Sequence, residues 1–123
     1  MDKLTYFEFT SPDTAAEMKF FSDVFGWEFQ KYGDQDYWLA TTTGPDDGQG
    51  INGAIMAPPM EGAPRVTNTL NVDDIDAAIA AATAAGATIA VPKAEVPGYG
   101  TLAYLVSPTG IVFGVIQLSG GSM

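Results

Sequence analysis

The residues that could do chemistry in this chain are few, and their types narrow what the chemistry can be. There is no histidine and no cysteine. The commonest general base, the commonest transition-metal ligand and the thiolate nucleophile are therefore absent together. Any catalysis rests on carboxylates, tyrosines, lysines or backbone groups. Glu8 in LTYFEF (4–9) is the candidate acid or base. In an extended segment Leu4, Tyr6, Glu8 and Thr10 share one face, and Thr5, Phe7 and Phe9 share the other. Glu8 then stands beside Tyr6, and a carboxylate held among aromatics can move a proton; the plainer reading is a rim carboxylate paired with water, a backbone N–H or a base. A similar strand, VTNTLNV (66–72), offers Thr67, Thr69 and Asn71. It is a hydrogen-bonding lining without a nucleophile, because a hydroxyl with no adjacent base attacks poorly. Trp27, Tyr37, Trp38, Tyr99 and Tyr104 are candidate walls for a planar ligand; core packing is the plainer reading of Trp27, just after a helix end. Tyr99 sits in PGYG, a turn whose tip could cover a cavity mouth. Arg65, the one arginine, is a solvated surface residue or the partner of an anionic ligand.

The elements that must position these residues repeat. Asp13 opens a helical pattern with Met18, Phe21 and Phe25 on one stripe, widened by Phe20 and Val24. Thr14 and Glu17 have capping-box spacing, Ser11 and Asp13 are further cap candidates, and Gly26 ends the helix. A second helix follows Asp73 and Asp74, with Ile75, Ala78, Ile79 and Ala82 on its stripe and Gly86 at its end. Strand-like runs follow each helix: 27–32, 36–43 and 51–56, then 87–91, 101–106 and 111–118. Asp74 lies 61 residues after Asp13, Gly86 lies 60 after Gly26, and Gly114 lies 61 after Gly53. The economical reading is an α+β fold of two tandem βαβββ modules. Module 1 covers about 3–57, a proline-stiffened linker 58–65, module 2 about 66–118, and 119–123 is a flexible tail. Such modules pair about a pseudo-twofold axis and enclose a concave sheet cavity, where a small molecule can sit.

Composition sets the outer bounds. Hydrophobic residues make up 46% of 123, enough for a core, and no apolar run reaches a membrane span. The N-terminus lacks the apolar stretch and cleavage site of a signal peptide, so the expected compartment is the cytoplasm. A net charge of −10 argues against nucleic acid as a partner. GPDDGQG (44–50) is not followed by a helix with Lys-Ser/Thr, and it lacks the spacing of a calcium loop.

YFEF followed by SPD, FFSDVFGWEF, VDDIDAAIAAATAAGATI, VPGYG and SPTGIVFGVIQ, in this order and spacing, resemble the vicinal oxygen chelate superfamily. That group holds glyoxalases, bleomycin-resistance proteins and extradiol dioxygenases; its small glyoxalase-like branch with the FGW signature is most similar. The resemblance implies four symmetric metal-ligand positions on the first and last strands of the modules, usually His, Glu or Gln. Here they are Tyr6, Gly53, Thr67 and Gly114. Glycine offers no ligand, and neutral Tyr and Thr are poor ones, so no metal and no cofactor is expected. Gly114, inside IVFGVIQ, is then either a close backbone approach or an emptied ligand position, with Gly53 as its mate at the cavity floor. The functional reading is a metal-free homodimer binding a small organic molecule through Tyr6, Glu8, Trp38, Gly53, Thr67, Thr69, Asn71, Tyr99, Tyr104 and Gly114. The alternatives are a metal-independent lyase or isomerase using Glu8, and a non-catalytic dimer module.

Overall fold

A computed structural model describes residues 1–44 and 48–119, so GPDDGQG is described only at its ends and the tail only at Ser119. The chain runs β1 (Lys3–Thr10), α1 (Thr14–Phe25), β2 (Glu28–Lys31), β3 (Tyr37–Thr41) and β4 (Asn52–Met56). It continues with β5 (Val66–Asn71), α2 (Ile75–Ala84), β6 (Thr88–Val96), β7 (Gly100–Val106) and β8 (Val112–Leu118). This is the expected βαβββ order, twice. By packing, residues 6–67 form one compact unit and residues from 68 onward, with 1–5, form another.

In the first module the strands lie in the order β2-β3-β4-β1. β1 and β4 are parallel, and the other neighbours are antiparallel. α1 starts where Asp13 accepts a hydrogen bond from Ala16 N–H at 3.0 Å, a cap worth about 1 kcal/mol. It stops at Gly26, whose φ of 75° is the left-handed turn that glycine adopts without strain. The alternation in β1 turns Phe7 and Phe9 toward α1. There Phe21 stacks on Trp27 at 4.5 Å, and Phe7 meets Phe9 at 4.7 Å. This aromatic layer is the module's core, with Ala40 and Ile55 buried as well; each ring of this size contributes roughly 1.5–3 kcal/mol when buried. The α1 stripe is narrower than the sequence implies. Phe20, Val24 and Phe25 are all more than half exposed, while Phe21 stacks on Trp27.

In the second module the order is β5-β8-β7-β6, with the neighbours β5 and β8 parallel as β1 and β4 are in the first. α2 is capped by Asp74 through Ala77 N–H, and also by Gln117 of β8, whose side-chain oxygen accepts from Ile75 N–H at 2.9 Å. Val72, Ile75, Ala103, Leu105 and Val115 form the core, and Ala78, Ile79 and Ala82 pack on it as their spacing predicts. β6 runs five residues past the expected end at Val91, through Pro92. Its pairing with β7 slips between Ile89 and Val91 and again between Val91 and Ala94. A proline is tolerated there because such breaks need no ladder N–H.

Candidate functional site

β1 is the root of the site. With Phe7 and Phe9 committed to α1, Tyr6, Glu8 and Thr10 must take the opposite face. β4 presents Asn52, Ala54 and Met56 in register with them, and β3 presents Leu39 and Tyr37 in register with Ala54 and Met56. β1 and β3 are two strand spacings apart, about 10 Å. Ala54 is small and fully buried, which leaves room above β4 for long side chains to meet. They do so at Tyr37. Its hydroxyl donates to Glu8 Oε2 at 2.5 Å and lies 2.8 Å from the Tyr6 hydroxyl. Tyr32 meets the Tyr37 ring edge-on at 6.0 Å. Glu8 is 5% exposed. Burial above all, then the Glu8 charge and the Tyr6 hydroxyl, hold the Tyr37 phenol far above its ordinary range, so it stays protonated. The result is a buried relay of three polar groups ending on a carboxylate, within reach for proton transfer.

Tyr37 was legible only as one of several aromatic walls. Its signal was register: one of Tyr37 and Trp38 had to share the face of Glu8, and nothing in the sequence said which. Trp38 takes the other face. It pairs with Ile55, donates its indole N–H to Asp36 at 2.9 Å and carries Lys31 over its ring at 5.8 Å. Trp38 is therefore corrected from site wall to scaffold. Asp36 also accepts from the Thr14 hydroxyl at 2.7 Å, pinning the start of α1 to β3. These two hydrogen bonds, then the Lys31 charge, hold its carboxyl below the usual range.

Gly53 is the second correction. It pairs with Phe7, and a Cβ there would lie 2.3 Å from the Phe7 carbonyl oxygen and 2.5 Å from its ring. It faces α1, not Glu8, and its lack of a side chain serves close packing. Gly114 does face the other way, paired with Thr69 and Tyr104. A Cβ on it would meet Thr69 Oγ1 at 2.6 Å. The space beside Gly114 is filled by Thr69, which is 1% exposed; of the two meanings of IVFGVIQ, close approach is the one the geometry carries.

The other expected residues lie as follows. Thr67 is buried on β5. Asn71 pairs with Ile116, and its Oδ1 is buried with no hydrogen-bond partner among the described residues. Tyr99 is at the β6–β7 turn, 42% exposed, its N–H bonded to Val96 O. Arg65 lines a groove of about 310 Å³ beside α1, with Phe9, Thr10, Glu17, Phe21 and Val66. Trp27 is core, as its plainer reading has it.

The four positions where the fold family would keep a metal do not fit one. The Tyr6 hydroxyl is engaged by Tyr37, Gly53 faces the helix, Gly114 is crowded by Thr69, and Thr67 offers one neutral hydroxyl. Among the described residues no three His, Asp, Glu or Cys side chains come together.

The model of the glyoxalase-like domain family matches residues 6–116. The chain belongs to the glyoxalase-like family. No curated protein matches this glyoxalase-like chain. Among solved structures, a hypothetical protein from Bacillus halodurans is similar at 12% identity and TM-score 0.70, over 99% of this chain and 98% of the other. A glyoxalase/bleomycin resistance protein/dioxygenase superfamily member from Vibrio splendidus is similar at 18% and 0.63, over 95% and 99%. Methylmalonyl-CoA epimerase from Mycobacterium tuberculosis is similar at 15% and 0.66, over 94% and 87%. At these identities the likeness is one of fold. Among the described residues no helix is long and apolar enough to cross a membrane.

Proposed function

We propose that this glyoxalase-like protein binds a small organic molecule, without a metal, on the sheet face that carries Tyr6, Tyr37 and Glu8. The observation that carries the reading is the buried relay itself. A carboxylate that is 5% exposed, held at 2.5 Å by a tyrosine that is also bonded to a second tyrosine, is a costly arrangement for a surface with no task. The supporting observation is the lack of a ligating set at the metal positions of the family. Native mass spectrometry of the protein from its own host, followed by NMR titration of the metal-stripped protein with what is released, tests it. Chemical-shift changes confined to residues away from β1 and β3 would defeat it.

A second reading has its own observation. Glu8 and Tyr37 are within proton-transfer distance, and the structural neighbours include methylmalonyl-CoA epimerase. In this reading Glu8 is the base in a metal-independent isomerase or lyase. Turnover in chelator-treated buffer, abolished in Glu8→Gln, supports it; binding of the released molecule without turnover supports the first reading. We also propose a homodimer, with the exposed Phe20, Val24 and Phe25 of α1 as the apolar surface it would cover. Light scattering at tens of micromolar separates the dimer from a species of 12.9 kDa.

A further inference from the structure

We propose that the groove beside α1 is a second binding site, which takes a small zwitterion with an apolar body, the chemistry of a free amino acid with an aromatic or aliphatic side chain. Its lining residues are Phe9, Thr10, Glu17, Phe21, Arg65 and Val66, and all of them belong to the compact unit of residues 6–67. None of Tyr6, Glu8 and Tyr37 lines it, so it is separate from the site proposed above. The Phe9 and Phe21 rings stand 5.8 Å apart, tilted by 40°. Both are only partly buried, although Phe21 already has Trp27 stacked on it. With Val66, 53% exposed, they make an apolar wall. A ring or a branched aliphatic chain can lie against it. The volume, about 310 Å³, is at the small end of ligand sites and suits a molecule of amino-acid size.

The charges choose the class. Arg65 and Glu17 line the same groove and do not pair with each other. Among the described residues neither side chain makes an ion pair or a hydrogen bond. The capping role that its spacing from Thr14 implies for Glu17 is not used. Asp13 caps α1 instead, and the Thr14 hydroxyl is given to Asp36. Both charges nevertheless grow from fixed backbone, as a built site requires. Thr10 N–H donates to Arg65 O at 2.9 Å, and the Thr10 hydroxyl donates to Pro64 O at 2.8 Å. Glu17 N–H donates to Asp13 O at 3.1 Å in the first turn of α1. A ligand with a carboxylate alone would satisfy Arg65 and bring a like charge to Glu17. A ligand with an ammonium alone would do the reverse. A molecule that carries both meets both, its carboxylate on the guanidinium fork and its ammonium on Glu17.

The test is an NMR titration of the full chain. It is run in about 0.15 M salt, which screens the field of the acidic chain beyond roughly 8 Å. The probes share one ring: phenylalanine, hydrocinnamate, which lacks its ammonium, and phenethylammonium, which lacks its carboxylate. Shifts at Phe9, Phe21 and Val66 locate the binding. The wild type should bind phenylalanine with a Kd on the order of a millimolar. It should hold either analogue about three- to five-fold more weakly, the effect of one exposed ion pair. The variants should then separate the charges. Arg65→Gln should abolish the preference over phenethylammonium and keep that over hydrocinnamate; Glu17→Gln should do the reverse. Neither side chain bonds within the fold, so both variants should melt as the wild type does. Equal binding of the three probes, or tightest binding of an analogue, overturns the proposal. So do preferences that both variants leave unchanged, and so does the absence of shifts at the groove up to tens of millimolar. Shifts at Tyr6 and Tyr37 instead support the reading of the sheet face and overturn this one.

Discussion

The Tyr37 hydroxyl reaches Glu8 across an intervening strand and donates to it at 2.5 Å. Two residues 29 apart in the chain thus share one hydrogen bond, and the Tyr6 hydroxyl stands 2.8 Å from that of Tyr37. Removing the donor tests how much of the first module this contact supports. Tyr37→Phe should destabilise the protein by about 1–3 kcal/mol, since a buried carboxylate loses a charge-assisted bond. Tyr6→Phe removes a neutral bond and should cost about 0.5–1.5 kcal/mol. Urea unfolding followed by fluorescence measures both; equal costs, or none, would mean that water replaces Tyr37 freely.

The same contact sets an alkaline limit. The Tyr37 phenol is raised above its ordinary value of 10.0 by burial first, then by the Glu8 charge and Tyr6. The folded state therefore holds this proton when the unfolded chain gives it up. The contribution is fully present below about pH 10 and is lost as pH rises from there toward the folded value. Melting temperatures from pH 8 to pH 11 should fall more steeply for the wild type than for Tyr37→Phe. Parallel curves would remove Tyr37 from the explanation.

Asp36 makes the opposite statement at acid pH. Hydrogen bonds from Thr14 and Trp38, then the Lys31 charge, hold its carboxyl below the ordinary 3.8. Its contribution is present above that range and is lost as pH falls through the folded value. Asp36→Asn should melt lower than the wild type at pH 6, and the two curves should converge toward pH 2. A gap that stays constant with pH would show that the carboxylate charge is not what matters.

The two strand glycines should separate by severity. Gly53→Ala drives a methyl into the Phe7 backbone oxygen and ring, neither of which can yield cheaply, so a loss of about 3 kcal/mol or a failure to fold is expected. Gly114→Ala meets only the Thr69 side chain, and about 1–2 kcal/mol is expected. Adding Thr69→Ala should recover part of that loss, an interaction that a double-mutant cycle reads directly. Strict additivity would mean that the strain at Gly114 comes from elsewhere.

Metal content offers an independent check. Elemental analysis after gel filtration should find no transition metal near one equivalent, because the family's four positions carry Tyr6, Gly53, Thr67 and Gly114. A chelator-resistant equivalent would require a ligand set outside those positions.

The modules were legible because their punctuation is local. Asp13, Gly26, Asp74 and Gly86 act on the helix turns beside them, and each stands at or next to the helix end that it marks. The face of β1 was legible too, since alternation alone sends Phe7 to the helix and Glu8 away from it. Register across strands was not. The caps repeat at 61 residues, but α1 spans twelve residues and α2 ten, and the helix-end glycines repeat at 60. β4 and β8 keep the shorter offset: Ala54, not Gly53, pairs with Glu8 as Gly114 pairs with Thr69. A glycine repeat of 61 thus joined residues on opposite faces. The Gln117 cap on α2 and the passage of β6 through Pro92 were hidden for the same reason, since both depend on which strand lies alongside.

The broken pairing of β6 bears on what happens when many copies meet. β6 and β2 each end their module's strand order. An incoming chain that tried to extend the sheet at β6 would meet Pro92, which has no N–H, and two slips of register within a few residues. At β2 it would find four residues, with Glu28 and Lys31 at the ends. Neither edge offers a continuous template on which strands of further copies can stack. Orderly fibril growth by strand addition is thereby disfavoured at these two edges.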